Sequence, residues 1–170
     1  MSSKWIGAVL VLGSCGGFGI YLGRGYVRQE RMLRQLLAVL RLMQWELRFR
    51  LTNLPELARM GAKESTGQLS RVFADFAREL DWHTEPDAAG CIHAAIRRSR
   101  ELPPTVKTIL RHLGSSLGRF DLEGQLEGIH AVTEECRNAL QTLGEQRKER
   151  VRNFQTLGLC AGAALVILFV

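Results

Sequence analysis

Charge is missing from both ends of this sequence. No Asp, Glu, Lys or Arg occurs from Trp5 to Gly23, and none from Phe154 to Val170. At the helical rise these stretches reach about 28 Å and about 26 Å, close to the hydrocarbon thickness of a bilayer. Every charged residue but Lys4 lies between them. Cysteine is scarce and scattered: Cys15, Cys91, Cys136 and Cys160, with no C-x-x-C. That excludes a disulfide framework or a zinc knuckle and fits a reducing compartment. Only four prolines are present, and the breaks are short, which excludes a long linker. No phosphate-binding loop or nucleophile elbow is present. Glu127 and His130 make one E-x-x-H, whereas a di-metal helical bundle needs two such motifs and two more Glu. No cofactor, metal or small-molecule substrate is therefore expected, and the chain reads as a non-enzyme.

The charges that are present orient the two ends. Arg24, Arg28, Arg31 and Arg34 follow the first apolar stretch, and Arg147, Lys148, Arg150 and Arg152 precede the second. Lys and Arg beside a span mark its cytoplasmic side. Both flanks predict a membrane hairpin: an N-terminal transmembrane helix over 1–23, a cytoplasmic domain over 24–152 and a C-terminal transmembrane helix over 153–170. Anionic lipid would attract both basic clusters. A competing reading is an exported lipoprotein acylated at Cys15, because Leu12-Gly13-Ser14-Cys15 resembles a cleavage site. Against it, apolar sequence continues to Leu22, and export would put the Arg147–Arg152 cluster on the outer face.

The middle predicts an all-α fold of six helices with no strand. Leu33, Leu36, Leu37, Leu40, Met43, Leu47 and Leu51 form one stripe over 24–51. Asn53, Pro55 and Glu56 signal the start of a short second helix that ends near Gly61. A third, from Thr66, carries Leu69, Val72, Phe73, Phe76, Ala77 and Leu80. A cap in Thr84–Asp87 opens a fourth with Ile92, Ala95 and Ile96. Pro103-Pro104 open a fifth with Val106, Ile109, Leu110, Leu113 and Leu117. Asp121 caps the last, whose apolar face holds Leu122, Leu126, Ile129, Cys136, Leu140 and Leu143. No proline follows it, so this helix is expected to run unbroken into the C-terminal span. Such helices predict a compact bundle.

Three features remain as functional candidates. Gly13 with Gly17, Gly19 with Gly23, and Gly158 with Gly162 make G-x-x-x-G pairs inside the spans. Glycine costs helix propensity, and close helix approach in the bilayer is the usual reason for it. Arg97, Arg98 and Arg100 sit at a helix C-terminus, where the helix dipole accounts for them. Trp82 follows an apolar stripe and is expected in the core. A membrane-tethered nucleic-acid binder is a further alternative. The chain has 23 Lys+Arg against 17 Asp+Glu, but the flanks of the spans hold much of this excess. Aromatics interleaved with a basic recognition helix are lacking.

Three stretches together resemble the stage III sporulation protein AB family of endospore-forming bacteria. They are Leu54-Pro55-Glu56-Leu57; Leu113-Gly114-Ser115-Ser116-Leu117-Gly118 with Asp121 and Gln125; and Leu157-Gly158 through Gly162 to Val166-Ile167-Leu168. The fourth helix reads Gly90-Cys91-Ile92-His93-Ala94-Ala95 where the family usually has a Trp. The resemblance implies a subunit of the channel complex between mother cell and forespore. It would lie in the outer forespore membrane with its domain on the mother-cell side. It also implies a domain similar to the cytoplasmic part of type II secretion platform proteins. The partners implied are sister stage III sporulation A-complex proteins and the ATPase, stage III sporulation protein AA; a homo-oligomer is left open. Leu113, Gly114, Leu117, Gly118, Asp121 and Gln125 are the partner-binding candidates.

Overall fold

In a computed structural model, the chain forms six helices: α1 (Ser2–Arg50), α2 (Leu54–Glu64), α3 (Gly67–Trp82), α4 (Ala88–Arg98), α5 (Pro104–Ser116) and α6 (Leu122–Phe169). Residues 25–82, 85–99, 101–118 and 121–146 are described in full, and 2–24 and 147–169 as helical backbone. The described residues contain no strand. Six helices therefore account for the domain and both terminal stretches, because the first and last helices absorb the ends. With 49 and 48 residues, α1 and α6 are each roughly 70 Å long. The expected continuity of the last helix holds, and α1 is continuous in the same way. The charge-free stretches and the glycines at 13, 17, 19, 23, 158 and 162 lie outside the fully described residues. Among the fully described residues, no helix is long and apolar enough to cross a membrane.

The helices follow one another around a closed ring, with α6 returning against α1. Polar contacts give their directions. α1 ends beside the start of α2, where Thr52 Oγ1 donates to Glu46 Oε2 at 2.8 Å. α2 runs back until Gln35 Nε2 donates to Thr66 Oγ1 at 2.7 Å. α3 runs out again, so that Asp81 meets Arg59 of α2 at 2.6 Å. α4 returns to place Ser99 Oγ against Gln68 Oε1 at 2.8 Å. α5 starts beside α1, with Gln29 Nε2 donating to Thr105 Oγ1 at 3.2 Å. The bundle thus has a near end, where α1 enters and α6 leaves. At its far end lie the close of α1, α3 and α5 and the start of α2, α4 and α6.

The core follows the predicted stripes. Leu33, Leu36, Leu40, Met43, Phe73, Phe76, Ile92, Ile109, Leu110 and Leu113 are fully buried. Side-chain caps set the helix starts: Asn53 Oδ1 accepts from Glu56 N at 3.1 Å, and Asp87 Oδ1 from Gly90 N at 2.8 Å. α2 continues past Gly61 to Glu64, because Gly61 is buried within the helix and serves packing, not termination.

Three apolar residues expected inside lie outside. Trp82 is 69% exposed. It sits two residues past Leu80, about 200° round the helix from the buried stripe. Leu51 falls after the last residue of α1, at φ 53°, and projects into solvent. Leu122 opens α6 and is exposed; full burial on that helix begins at Ile129.

One buried charge is answered across helices. Glu79 of α3 is 2% exposed and accepts a hydrogen bond from Arg98 of α4. Arg98, which the sequence assigns to the α4 helix dipole, thus has a specific carboxylate partner.

Candidate functional site

Leu113–Gly118 close α5 and Asp121–Gln125 open α6, both at the far end. Leu113 and Leu117 are fully buried, and Gly114 is buried with them. Gly114 faces α4 so closely that a Cβ built there would stand 2.2 Å from Ile92 Cγ2. Only glycine permits that approach. Gly118 adopts φ +76°, the left-handed conformation that turns the chain after α5. A Cβ on Gly118 would lie 3.8 Å from Leu54 and 3.7 Å from Ala88. Leu54-Pro55-Glu56-Leu57 and the Leu113–Gly118 turn, distant in sequence, therefore meet at one end of the bundle. Asp121 caps α6 by accepting from Gly124 N at 3.0 Å. Of the six candidates, Gly118 and Asp121 are exposed and Gln125 is half-buried on the first turn of α6.

Beside this turn lies an open groove between the end of α1 and the start of α6, with a volume of about 690 Å³. Its apolar surface comes from Trp45, Phe49 and Leu126. Trp45 is 48% exposed and Phe49 67% exposed, unusual for such large rings. The two rings stand 5.7 Å apart at a 45° tilt. Arg50 lies 5.3 Å over the Trp45 ring and Arg48 5.9 Å over that of Phe49, within cation–π range. Arg41 and Arg48 line the α1 wall, and Glu123 and Glu127 the α6 wall. With Leu51, Trp82 and Leu122, five of the six large exposed apolar side chains among the described residues belong to the far end.

Trp45 and Phe49 were not singled out by the sequence reading, though their signal is present. They lie two residues off Met43 and Leu47, so they occupy the face opposite the stripe. The heptad-spaced arginines Arg41 and Arg48 flank them there. A pair of aromatics at i, i+4 on a polar face is a surface feature with no core role to explain it.

The ionisable groups offer little chemistry. Burial pushes the Cys136 thiol up to about 11 and raises that of Cys91, so neither is an activated nucleophile. Arg28, donating at 2.7 Å, holds the Glu101 carboxyl below its ordinary value. His112 Nδ1 sits 2.7 Å from Glu135 Oε2 on the surface. Glu127 and His130 both line the groove. Among the described residues, no three His, Cys, Asp or Glu are grouped to hold a metal ion.

Comparison with known proteins decides the lineage. The family model "Stage III sporulation protein AB" matches residues 4–170. The chain belongs to the stage III sporulation protein AB family. The member from Bacillus subtilis (strain 168) is 22% identical over 168 residues, covering 97% of this chain and 98% of the relative. A solved structure of a stage III sporulation protein AB matches with TM-score 0.64 at 20% identity. It covers 72% of this chain and 98% of the solved one. That likeness supports the helical-bundle fold, and membership of the family gives the chain a role in sporulation.

Proposed function

We propose that this chain is a non-enzymatic membrane platform subunit of a sporulation complex, held by two spans and docking partners through its cytoplasmic bundle. The observation that carries this reading is the course of α1 and α6. Each continues as one helix from the packed bundle into a charge-free end, and both ends leave from the same, near end. Basic residues stand at both junctions, which favours a cytoplasmic bundle. The bundle then presents its far end, with the Leu113–Gln125 turn and the exposed aromatics, away from the membrane. Such a surface suits a motor ATPase or sister subunits; the family resemblance supplies stage III sporulation protein AA as the motor. The glycine pairs at Gly13/Gly17, Gly19/Gly23 and Gly158/Gly162 would seat the spans against other membrane helices.

The test is affinity capture of the intact chain from membranes of sporulating cells. The reading expects the ATPase and sister stage III membrane subunits to co-purify. Recovery of the chain alone, or from the soluble fraction, would overturn it. A Cys placed within 63–67, in a background without the native cysteines, should resist an impermeant thiol reagent until cells are lysed.

A further inference from the structure

The charges around the Trp45–Phe49 groove are arranged in an uncommon way. Ion pairs are frequent on this surface: Arg34 with Glu30, Arg59 with Glu56 and Asp81, and Arg137 with Glu134. Yet among the described residues Arg41 and Arg48 on the α1 wall form no ion pair with Glu123 and Glu127 on the α6 wall. The groove keeps two cations on one wall and two anions on the other, and Trp45, Phe49 and Leu126 line it as well. The walls run over Arg41–Phe49 and Glu123–His130, about 10–12 Å of helix, or two turns.

We propose that this groove seats an amphipathic helix of a partner protein, which deepens the docking role proposed above and rests on it. The occupant has an apolar stripe that covers Trp45, Phe49 and Leu126. It carries acidic side chains along the edge facing Arg41 and Arg48, and basic ones along the edge facing Glu123 and Glu127. Two adjacent helices offer a ridge-and-groove surface that a third helix fills. The described residues contain no sheet edge for an extended peptide to join. A second copy is a poor occupant, because the stripes of α2 to α5 are already spent in the core.

The test uses the full chain in zwitterionic nanodiscs at low salt, with empty discs subtracted. The probes are two fluorescein-labelled helical peptides with the same Leu stripe. One carries Glu on one edge and Lys on the other; the second carries Lys on both. The mixed-edge peptide should bind saturably, and Arg41→Glu with Arg48→Glu should weaken it about tenfold. The double-Lys peptide should show the opposite preference and bind the variant about tenfold more tightly. Trp45→Ala with Phe49→Ala should weaken both, with circular dichroism unchanged. No saturable binding of the mixed-edge peptide, or equal affinity of each peptide for parent and charge variant, overturns the proposal. So does a dimer of the parent chain that Trp45→Ala with Phe49→Ala dissociates, since the groove would then belong to a second copy. If peptide binding fails while the ATPase is still captured by the Trp45→Ala, Phe49→Ala chain, the groove assignment falls and the platform reading stands.

Discussion

The thiol of Cys136 on α6 donates to the carbonyl oxygen of Leu33 on α1 at 3.4 Å. These two residues join the helices that lead to the two charge-free ends, and both are fully buried. A thiol whose ionisation the fold disfavours reports on that packing. Its pKa, raised to about 11 by burial, exceeds that of a solvated thiol, so the unfolded chain loses the proton first. The stabilising contribution is complete below about pH 9 and is lost as pH rises toward 11. Denaturant titrations should show the parent losing more stability across this window than Cys136→Ala, whose slope lacks this thiol. Equal slopes would mean that Cys136 is solvated in the native state.

Gly114 against Ile92 makes the sharpest steric prediction. A Cβ on Gly114 would stand 2.2 Å from Ile92 Cγ2, well inside contact distance. Gly114→Ala should cost about 1–3 kcal/mol, the usual penalty for overpacking. In an Ile92→Ala background Gly114→Ala should cost less than it does in the parent, because the clash disappears with the branched side chain. A double-mutant cycle from thermal or denaturant melts checks it, and strict additivity would rule out the contact.

Leu51 offers a prediction of opposite sign. Its φ of 53° costs about 1 kcal/mol or more for a side-chain-bearing residue, and glycine removes that cost. Leu51→Gly should therefore raise stability by about 1 kcal/mol, less the added freedom of the unfolded chain. A lowered melting temperature would show that Leu51 is packed or unstrained.

Most of the fold was legible because helical periodicity and caps are local signals. The stripes of α3, α4 and α5 and the caps Asn53 and Asp121 are all where spacing and residue type place them. The misplaced residues, Leu51, Trp82 and Leu122, sit at helix ends, where the period stops predicting a face. The burial of Leu113, Gly114 and Leu117 was less legible, since a motif matched by resemblance does not say which of its residues reach solvent. The groove was hidden for a different reason. It combines α1 with α6, about 80 residues apart in sequence, and only the closure of the ring brings Trp45 near Leu126.

The two charge-free ends, proposed above as spans, carry their own expectation. If Gly158 and Gly162 let membrane helices approach closely, Gly158→Leu with Gly162→Leu should weaken assembly by about 1 kcal/mol. The bundle, whose core ends well before these positions, should melt as in the parent. Co-purification of the sister subunits, normalised to protein level, is the readout; unchanged recovery would remove these glycines from the interface.

The central claim is that the bundle docks a motor directly. The measurement that tests it is binding of purified stage III sporulation protein AA to the intact chain in nanodiscs, followed by sedimentation or interferometry. The account predicts saturable binding that weakens when Trp45 and Phe49 at the far end are both replaced by alanine, while circular dichroism is unchanged. Absence of binding by a folded, membrane-inserted chain would contradict it.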